Sequence, residues 1–408
     1  MSSWPRSFPQ PAAKEFLHCI DENNNNADVF TIDDSEWPDA DDVISNLPLH
    51  IVHVHAVAIH RGEIYPREKG EQPEWMPSDS DEDPCRILGH EFSGVVVSTS
   101  PRSPLNPGTE VYGRTSFLRC GCARTYAVAT FYELAAKPKA WDWAECAATP
   151  MGGLIAFQAL FSFPLLVEPT LEEWGLGART KGYNLTTCLL ITGAASPAGI
   201  LAVQLAKLAG VRRIIGICSA EHIPLVRRMG ANVALDWATE GSLKGWESTG
   251  GGQFTVVVDF MGGPILTRAW SLVREGGKIL SVADDIAAAR PARVSSNVQH
   301  YNFVLSNCPK QLATIAWLAD AGLLRPVLEP DAIYDFSRAV TAMESLREHP
   351  RGQVVLRLNS MVSTEKLTVS NSPINVLSVY GRKWDDPNDF DEGLVKLSRG
   401  EDGAEEYN

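Results

Sequence analysis

Between Leu189 and Lys207 the chain runs Leu189-Leu190-Ile191-Thr192-Gly193-Ala194-Ala195-Ser196-Pro197-Ala198-Gly199-Ile200 and then on through an apolar stretch. Apolar residues, a turn of small ones and apolar spacing of three to four predict a strand, a tight turn and an amphipathic helix. Small side chains at Gly193, Ala194, Ala195, Ser196, Pro197, Ala198 and Gly199 let a diphosphate approach main-chain N–H groups where the helix dipole is positive. Gly199 also lets the helix pack close on the strand. The three-glycine dinucleotide fingerprint is incomplete, because Ala194 and Ser196 stand where two of its glycines would be. Taken alone, the string also reads as an ordinary strand-to-helix turn.

The next strand candidate, Arg213-Ile217, ends in Cys218-Ser219, about 20 residues after Gly199. An NAD site places an acid at such a strand end to hold the ribose 2′-hydroxyl. No acid stands there, and Ser219 with His222 tolerates a 2′-phosphate, which favours NADPH over NADH. His222 reads equally well as a solvated surface residue. Asp259, Gly262 and Val282 lie at later strand ends and are expected to close over adenosine and nicotinamide. Ligands in open α/β sheets sit beyond the carboxyl ends of the strands.

Those residues need a scaffold, and the patterning supplies one. From Thr187 to about residue 300 apolar strands alternate with helices, which means a parallel sheet with helices on both faces. The part before Ala144 is mostly β, with a strong strand at Leu49–Ala58 and short candidates at Glu15–Ile20 and Val29–Ile32. One helix is predicted over Ala144–Phe161, others over Pro309–Ala321 and Phe336–His349, and a last strand over Val354–Leu358. The loops at 61–85 and 163–186 carry no motif, and the final 50 residues are polar, with order expected only near Ile374–Val379.

Composition narrows the class. A net charge of -14 opposes nucleic acid as the partner, since phosphate binding needs a basic face. The acidic runs at 79–83 and 401–406 read as solvated loop and tail. No apolar run reaches the roughly 20 residues of a membrane helix, and the first residues lack the pattern of a signal peptide. The expectation is a soluble, cytoplasmic protein, monomer or homodimer, acting on a small molecule. The eight cysteines are scattered, which fits free thiols, and Cys120-Gly121-Cys122 lacks the second pair of a zinc cluster.

Further segments carry a resemblance. They are Arg86-Ile87-Leu88-Gly89-His90-Glu91-Phe92-Ser93-Gly94-Val95-Val96, Pro107-Gly108-Thr109-Glu110-Val111-Tyr112-Gly113, Gly121 to Val128 and Glu145-Cys146-Ala147-Ala148-Thr149-Pro150. Met229-Gly230-Ala231-Asn232-Val233, Gly276-Gly277-Lys278-Ile279-Leu280 and Gly352-Gln353-Val354-Val355-Leu356 follow in order. Together with the small-residue loop, they resemble the medium-chain dehydrogenase/reductase superfamily, and more closely its zinc-free quinone oxidoreductase and enoyl reductase branches, over about residues 45–360.

The resemblance implies a Rossmann doubly wound parallel sheet inserted in a GroES-like, mostly β catalytic domain, with the active site in the cleft between them. The expected division is 1–160 plus 301–360 for the catalytic domain, 161–300 for the Rossmann domain and 361–408 for a partly disordered tail. Where zinc-dependent relatives bind the catalytic ion, this chain has His60, His90 and Gly153, so the third ligand is missing; Glu63 or Glu91 is a conceivable substitute, and no metal is expected. His90 then reads as a hydrogen-bonded structural histidine. Without a Lewis acid, an already electron-poor enone, enoyl group or quinone suits hydride addition better than a simple ketone. The resemblance places Tyr65 in the loop that supplies the proton in enoyl reductases, with loop packing as its other reading. His60 replaces an Asn of the family and Glu63 an Asp, and Ile155 stands where many members have Thr. The reading is an NADPH-dependent, zinc-independent reductase, for which a free-standing enoyl reductase of secondary metabolism is one form. Its rivals are a zinc alcohol dehydrogenase with atypical ligands and a binding protein on the same fold.

Overall fold

The computed structural model describes residues 15–21, 28–34, 49–64, 85–100, 103–117, 120–174, 182–239, 253–292, 294–348 and 352–358, with 15–21, 28–34 and 85–86 described by backbone alone. Tyr65, both acidic runs and the polar tail lie outside the described residues.

Three sheets form. β1 (Glu15–Asp21), β2 (Asp28–Asp34) and β4 (Cys85–Ile87) make a small antiparallel sheet in the order β2-β1-β4. β3 (Leu49–His60) is the spine of a seven-stranded sheet that also holds β5 (Glu91–Thr99), β6 (Glu110–Arg114), β7 (Tyr126–Thr130) and β8 (Leu134–Ala136). Two strands from far along the chain, β15 (Ile333–Asp335) and β16 (Gln353–Arg357), complete it, with β16 antiparallel to β3 and Gln353 opposite His60. One face of β3 packs Val52, Val54, Val57 and Ile59 into a single core cluster, across a register shift between Val54 and Ala56, while Ala56 and Ala58 are buried on the other face.

The third sheet has six strands, all pairs parallel, in the order β11-β10-β9-β12-β13-β14. They are β9 (Cys188–Thr192), β10 (Arg213–Cys218), β11 (Val233–Asp236), β12 (Phe254–Asp259), β13 (Val273–Ser281) and β14 (Gln299–Asn302). The helices are α1 (Trp143–Ala147), α2 (Pro150–Phe161), α3 (Gly182–Thr186), α4 (Pro197–Leu208), α5 (Ile223–Met229), α6 (Gly263–Leu272), α7 (Pro309–Asp320) and α8 (Ala339–Glu348). Strands β9 and β12 are buried on both faces, which is why their sequences are continuous apolar runs.

Several boundaries differ from the sequence expectation. The single helix over Ala144–Phe161 is two, because Pro150 has no N–H to continue α1 and begins α2 instead. The helix expected from Phe336 starts as a 3₁₀ turn, Phe336–Arg338, before α8. β13 begins at Val273 rather than Lys278, with a register shift against β12 beside Phe254. β14, β15 and α3 have no periodicity long enough to read from sequence.

Candidate active site

The small-residue loop folds as its composition requires. Gly193 adopts φ +61, a left-handed conformation that costs glycine nothing. Ala194 is buried, and its amide donates to the Ile217 carbonyl at 2.9 Å, tying the turn to β10. Ser196 is the N-cap of α4, and its Oγ accepts from the Gly199 amide at 3.0 Å. A Cβ on Gly199 would lie 2.1 Å from the Gly193 carbonyl oxygen, so only glycine lets the helix sit this close to the turn.

That geometry fits a dinucleotide diphosphate, with one change from the sequence picture. The Gly199 amide is spent on Ser196, and Pro197 has none. The Ala198 amide is then the first α4 donor without a protein acceptor among the described residues. Gly152 of α2 faces it, and a Cβ there would stand 3.4 Å from the Ala198 nitrogen.

The strand ends are more occupied than the sequence suggests. Asp259 is fully buried and binds its own neighbours. It accepts from the hydroxyls of Thr192 and Ser281 and from the amide of Gly262, the last two at 2.7 and 3.0 Å, and so locks three strand ends together. Gly262 has φ +70, and a Cβ on it would strike the Asp284 carboxylate at 2.3 Å. Asp284 also accepts from the Gly263 amide, filling the N-terminus of α6 with the protein's own anion. The Val282 amide bonds the Asp259 carbonyl at 3.0 Å.

At the end of β10, burial, reinforced by Asp236 and Glu221, pushes the Cys218 thiol up to about 11, so it stays protonated at neutral pH. Ser219 Oγ and His222 Nδ1 are 2.7 Å apart. An acid does reach this corner: Glu221 Oε1 is 3.4 Å from His222 Nδ1. Its own amide and the Ser219 hydroxyl hold its carboxyl below the usual range. The sequence reading missed it because Glu221 is past the strand end, and the 3₁₀ turn Ala220–His222 folds it back.

A second polar cluster forms where β3, β5 and β6 end. The His60 Nε2 meets the carboxylate of Glu91, whose other oxygen accepts from the Met151 amide at the start of α2. Glu63 accepts from the His60 amide at 3.0 Å and from the Gly89 amide at 2.8 Å. Burial opposes a charge on His60, but the Glu91 carboxylate, its hydrogen bond and Glu63 outweigh burial and the nearby Arg114, and the imidazole is raised above its ordinary value. Its side chain is 19% exposed. The Gly89-His90-Glu91 run and the strand end at His60 carried the signal for this pair; that Glu91 bridges to Met151 is visible only in three dimensions. Contacts therefore run from His60 through Glu91 to Met151, and from the adjacent Gly152 to Ala198 of the small-residue loop.

His90 Nδ1 lies 3.2 Å from Thr115 Oγ1. Gly153, the position matching a third zinc ligand, supplies no donor and packs against Ile315. His60 is engaged with Glu91, and among the described residues no three His, Cys, Asp or Glu side chains are placed to hold a metal. The donor set does not fit a catalytic zinc. Among the same residues, no helix is long and apolar enough to cross a membrane.

A mixed-strand sheet completed by the chain's far end, a six-stranded parallel sheet and a dinucleotide loop define an oxidoreductase architecture. The chain belongs to the medium-chain dehydrogenase/reductase superfamily. Residues 49–151 match the alcohol dehydrogenase GroES-like domain, and residues 197–306 match the zinc-binding dehydrogenase family. It is similar to a "Probable zinc-binding oxidoreductase, mitochondrial" of Arthroderma benhamiae, 32% identical over 314 residues, covering 76% of this chain and 88% of that protein. An "NADPH-dependent alkenal/one oxidoreductase, chloroplastic" of Arabidopsis thaliana is 28% identical over 279 residues, 66% of this chain and 63% of that one. In fold it matches the quinone oxidoreductase from Coxiella burnetii, with a TM-score of 0.64 at 21% identity over 85% of this chain and 100% of that one.

Proposed function

We propose that the chain is an NADPH-dependent, zinc-independent reductase of an activated C=C bond or a quinone, with residues 1–160 and 301–360 as its catalytic part, 161–300 as its dinucleotide part and the cleft between as its active site. The observation that carries this reading is the half-buried His60–Glu91 pair, whose Glu91 accepts from the Met151 amide next to Gly152, the residue that packs beside the Ala198 amide of the small-residue loop. The nicotinamide, when bound, supplies a hydride. Gly193 to Gly199 hold its diphosphate, and Ser219 with His222 receives the 2′-phosphate. His60, kept protonated by Glu91, gives a proton to the reduced substrate. Tyr65 is the second proton donor to test. The Arabidopsis relative's name, with NADPH and alkenal/one in it, supports the same chemistry.

One observation favours NADH instead: Glu221 beside Ser219 and His222 repels a 2′-phosphate. Oxidation of NADPH and NADH followed against quinones, enones, enoyl thioesters and aldehydes, with and without a chelator, tests both readings. NADPH turnover with enones or quinones that survives chelation is expected. Turnover of alcohols or aldehydes alone, lost on chelation, would favour the zinc rival. An absence of coenzyme binding at high micromolar concentration would leave the binding-protein rival.

A further inference from the structure

Arg114 ends β6 beside the His60–Glu91 pair, paired in register with Glu91 of β5. Its side chain is buried, with the residue 7% exposed. Of the five N–H donors of a guanidinium, Nη1 bonds Asn307 Oδ1 at 2.7 Å, in the segment that follows β14, and Nε has no partner among the described residues. The Phe117 ring lies 4.8 Å from its central carbon. Three carboxylates act on it through their charge, from Glu91, Glu133 and Glu63, and each also accepts from other donors. Glu63 binds the amides of His60 and Gly89, and Glu91 binds His60 and the Met151 amide. Glu133 binds the Ser116 amide at 2.9 Å and the Thr130 amide at 2.8 Å. Arg114 is thus a buried cation among three carboxylates, with its Nε–H unmet among the described residues. An under-bonded buried donor is costly to leave unmet, and an arriving oxygen satisfies it.

We propose that Arg114 is the oxyanion donor of this site, and that the site takes a neutral conjugated ketone or aldehyde in preference to a carboxylate-bearing alkene. The inference rests on the reductase reading above and names its substrate class. The charge balance makes the choice between the two classes. Glu63, Glu91 and Glu133 against Arg114 and a protonated His60 leave one net negative charge, and a neutral His60 leaves two. A carboxylate would enter against that charge, whereas a carbonyl oxygen enters uncharged and gains its charge only during reaction. As the β-carbon receives the hydride and the cofactor is oxidised, the alkene pair shifts to make an enolate. Its oxygen takes the negative charge against the Arg114 N–H groups. A proton from His60 or solvent then closes the α-carbon, and the substrate has gained two electrons, one hydride and one proton in balance.

The test compares wild type, Arg114→Gln and Arg114→Lys on cyclohexenone and on cyclohexene carboxylate, with cyclohexanone binding read by calorimetry and NADPH affinity by fluorescence. Arg114→Gln is expected to lose about 100-fold in kcat/KM for the enone, as removal of one oxyanion donor does, and to bind cyclohexanone more weakly. NADPH affinity is expected to hold within about twofold, since Arg114 touches none of the loop at 193–199. Arg114→Lys, which keeps the charge and loses the fork, is expected to fall between, and it carries the test where the glutamine variant fails to fold. Wild-type kcat/KM in a folded variant, or a wild-type preference for the carboxylate, overturns the inference. Should wild type reduce no enone at all, the reductase reading fails, while an equal cyclohexanone affinity in wild type and variant separately removes Arg114.

Discussion

Replacing Gly199 by alanine adds one methyl group at the point where α4 rests on its own turn. The new Cβ would stand 2.1 Å from the Gly193 carbonyl oxygen and 2.9 Å from the Ala194 Cα. Both are backbone atoms, so no side chain can swing aside and the first helical turn must retreat by about 1 Å to reach van der Waals distance. Alanine favours a helix interior over glycine by about 1 kcal/mol, which works in the opposite direction. Overpacking of about 1–3 kcal/mol and strain on the Ser196 cap, worth about 1 kcal/mol, exceed that gain. A net loss of about 1–3 kcal/mol lowers Tm by about 1–4 °C, because the entropy of unfolding grows with the length of a 408-residue chain. The same retreat carries the Ala198 amide away from a docked diphosphate, and losing a hydrogen bond to a charged group, about 1.5–3 kcal/mol, weakens coenzyme about 10- to 100-fold. Thermal unfolding and fluorescence titration of NADPH measure the two effects. An alanine variant with wild-type Tm and coenzyme affinity would refute the placement of the diphosphate and the packing argument together.

Glu91→Gln removes the carboxylate that raises His60, so the His60 titration followed by NMR is expected to move to lower pH, and the alkaline limb of turnover with it. Because His60 is raised in the folded protein, its stabilising contribution is full below about pH 6.5 and fades as pH climbs through the folded value. The variant should therefore lose most stability on the acid side, and an unmoved titration would exclude Glu91 as the cause. His50 behaves in the opposite sense: burial lowers it to about 4, the unfolded chain binds the extra proton, and about 3 kcal/mol of stability disappears as pH falls from about 6.5 to about 4. Denaturant midpoints across that window should fall less steeply in His50→Gln, and parallel curves would contradict the assignment. Glu221→Gln removes a negative charge beside Ser219 and His222, the proposed 2′-phosphate corner, and should tighten NADPH by about two- to fivefold while leaving NADH within about twofold. Equal effects on both coenzymes would place the 2′-phosphate elsewhere.

The sequence by itself determined the parallel sheet, the small-residue turn into α4 and the family. Each rests on short-range chemistry: the apolar runs of β9 and β12, the small residues from Gly193 to Gly199, and glycines at a spacing set by the backbone. It left the third zinc position visibly empty at Gly153, because that position carries no donor in any fold. Tertiary structure decided the rest. Asp259 looked like a ligand contact at a strand end, and its neighbours Thr192 and Ser281, distant in sequence, make it a clamp. Glu221 joined the ribose corner through a 3₁₀ turn too short to show periodicity. Arg114 gave no sequence signal, since the three carboxylates that surround it arrive on separate elements and its one acceptor, Asn307, lies 193 residues away. Local backbone and packing preferences are written residue by residue, whereas the charge around a buried group is a sum over chain segments that only folding brings together.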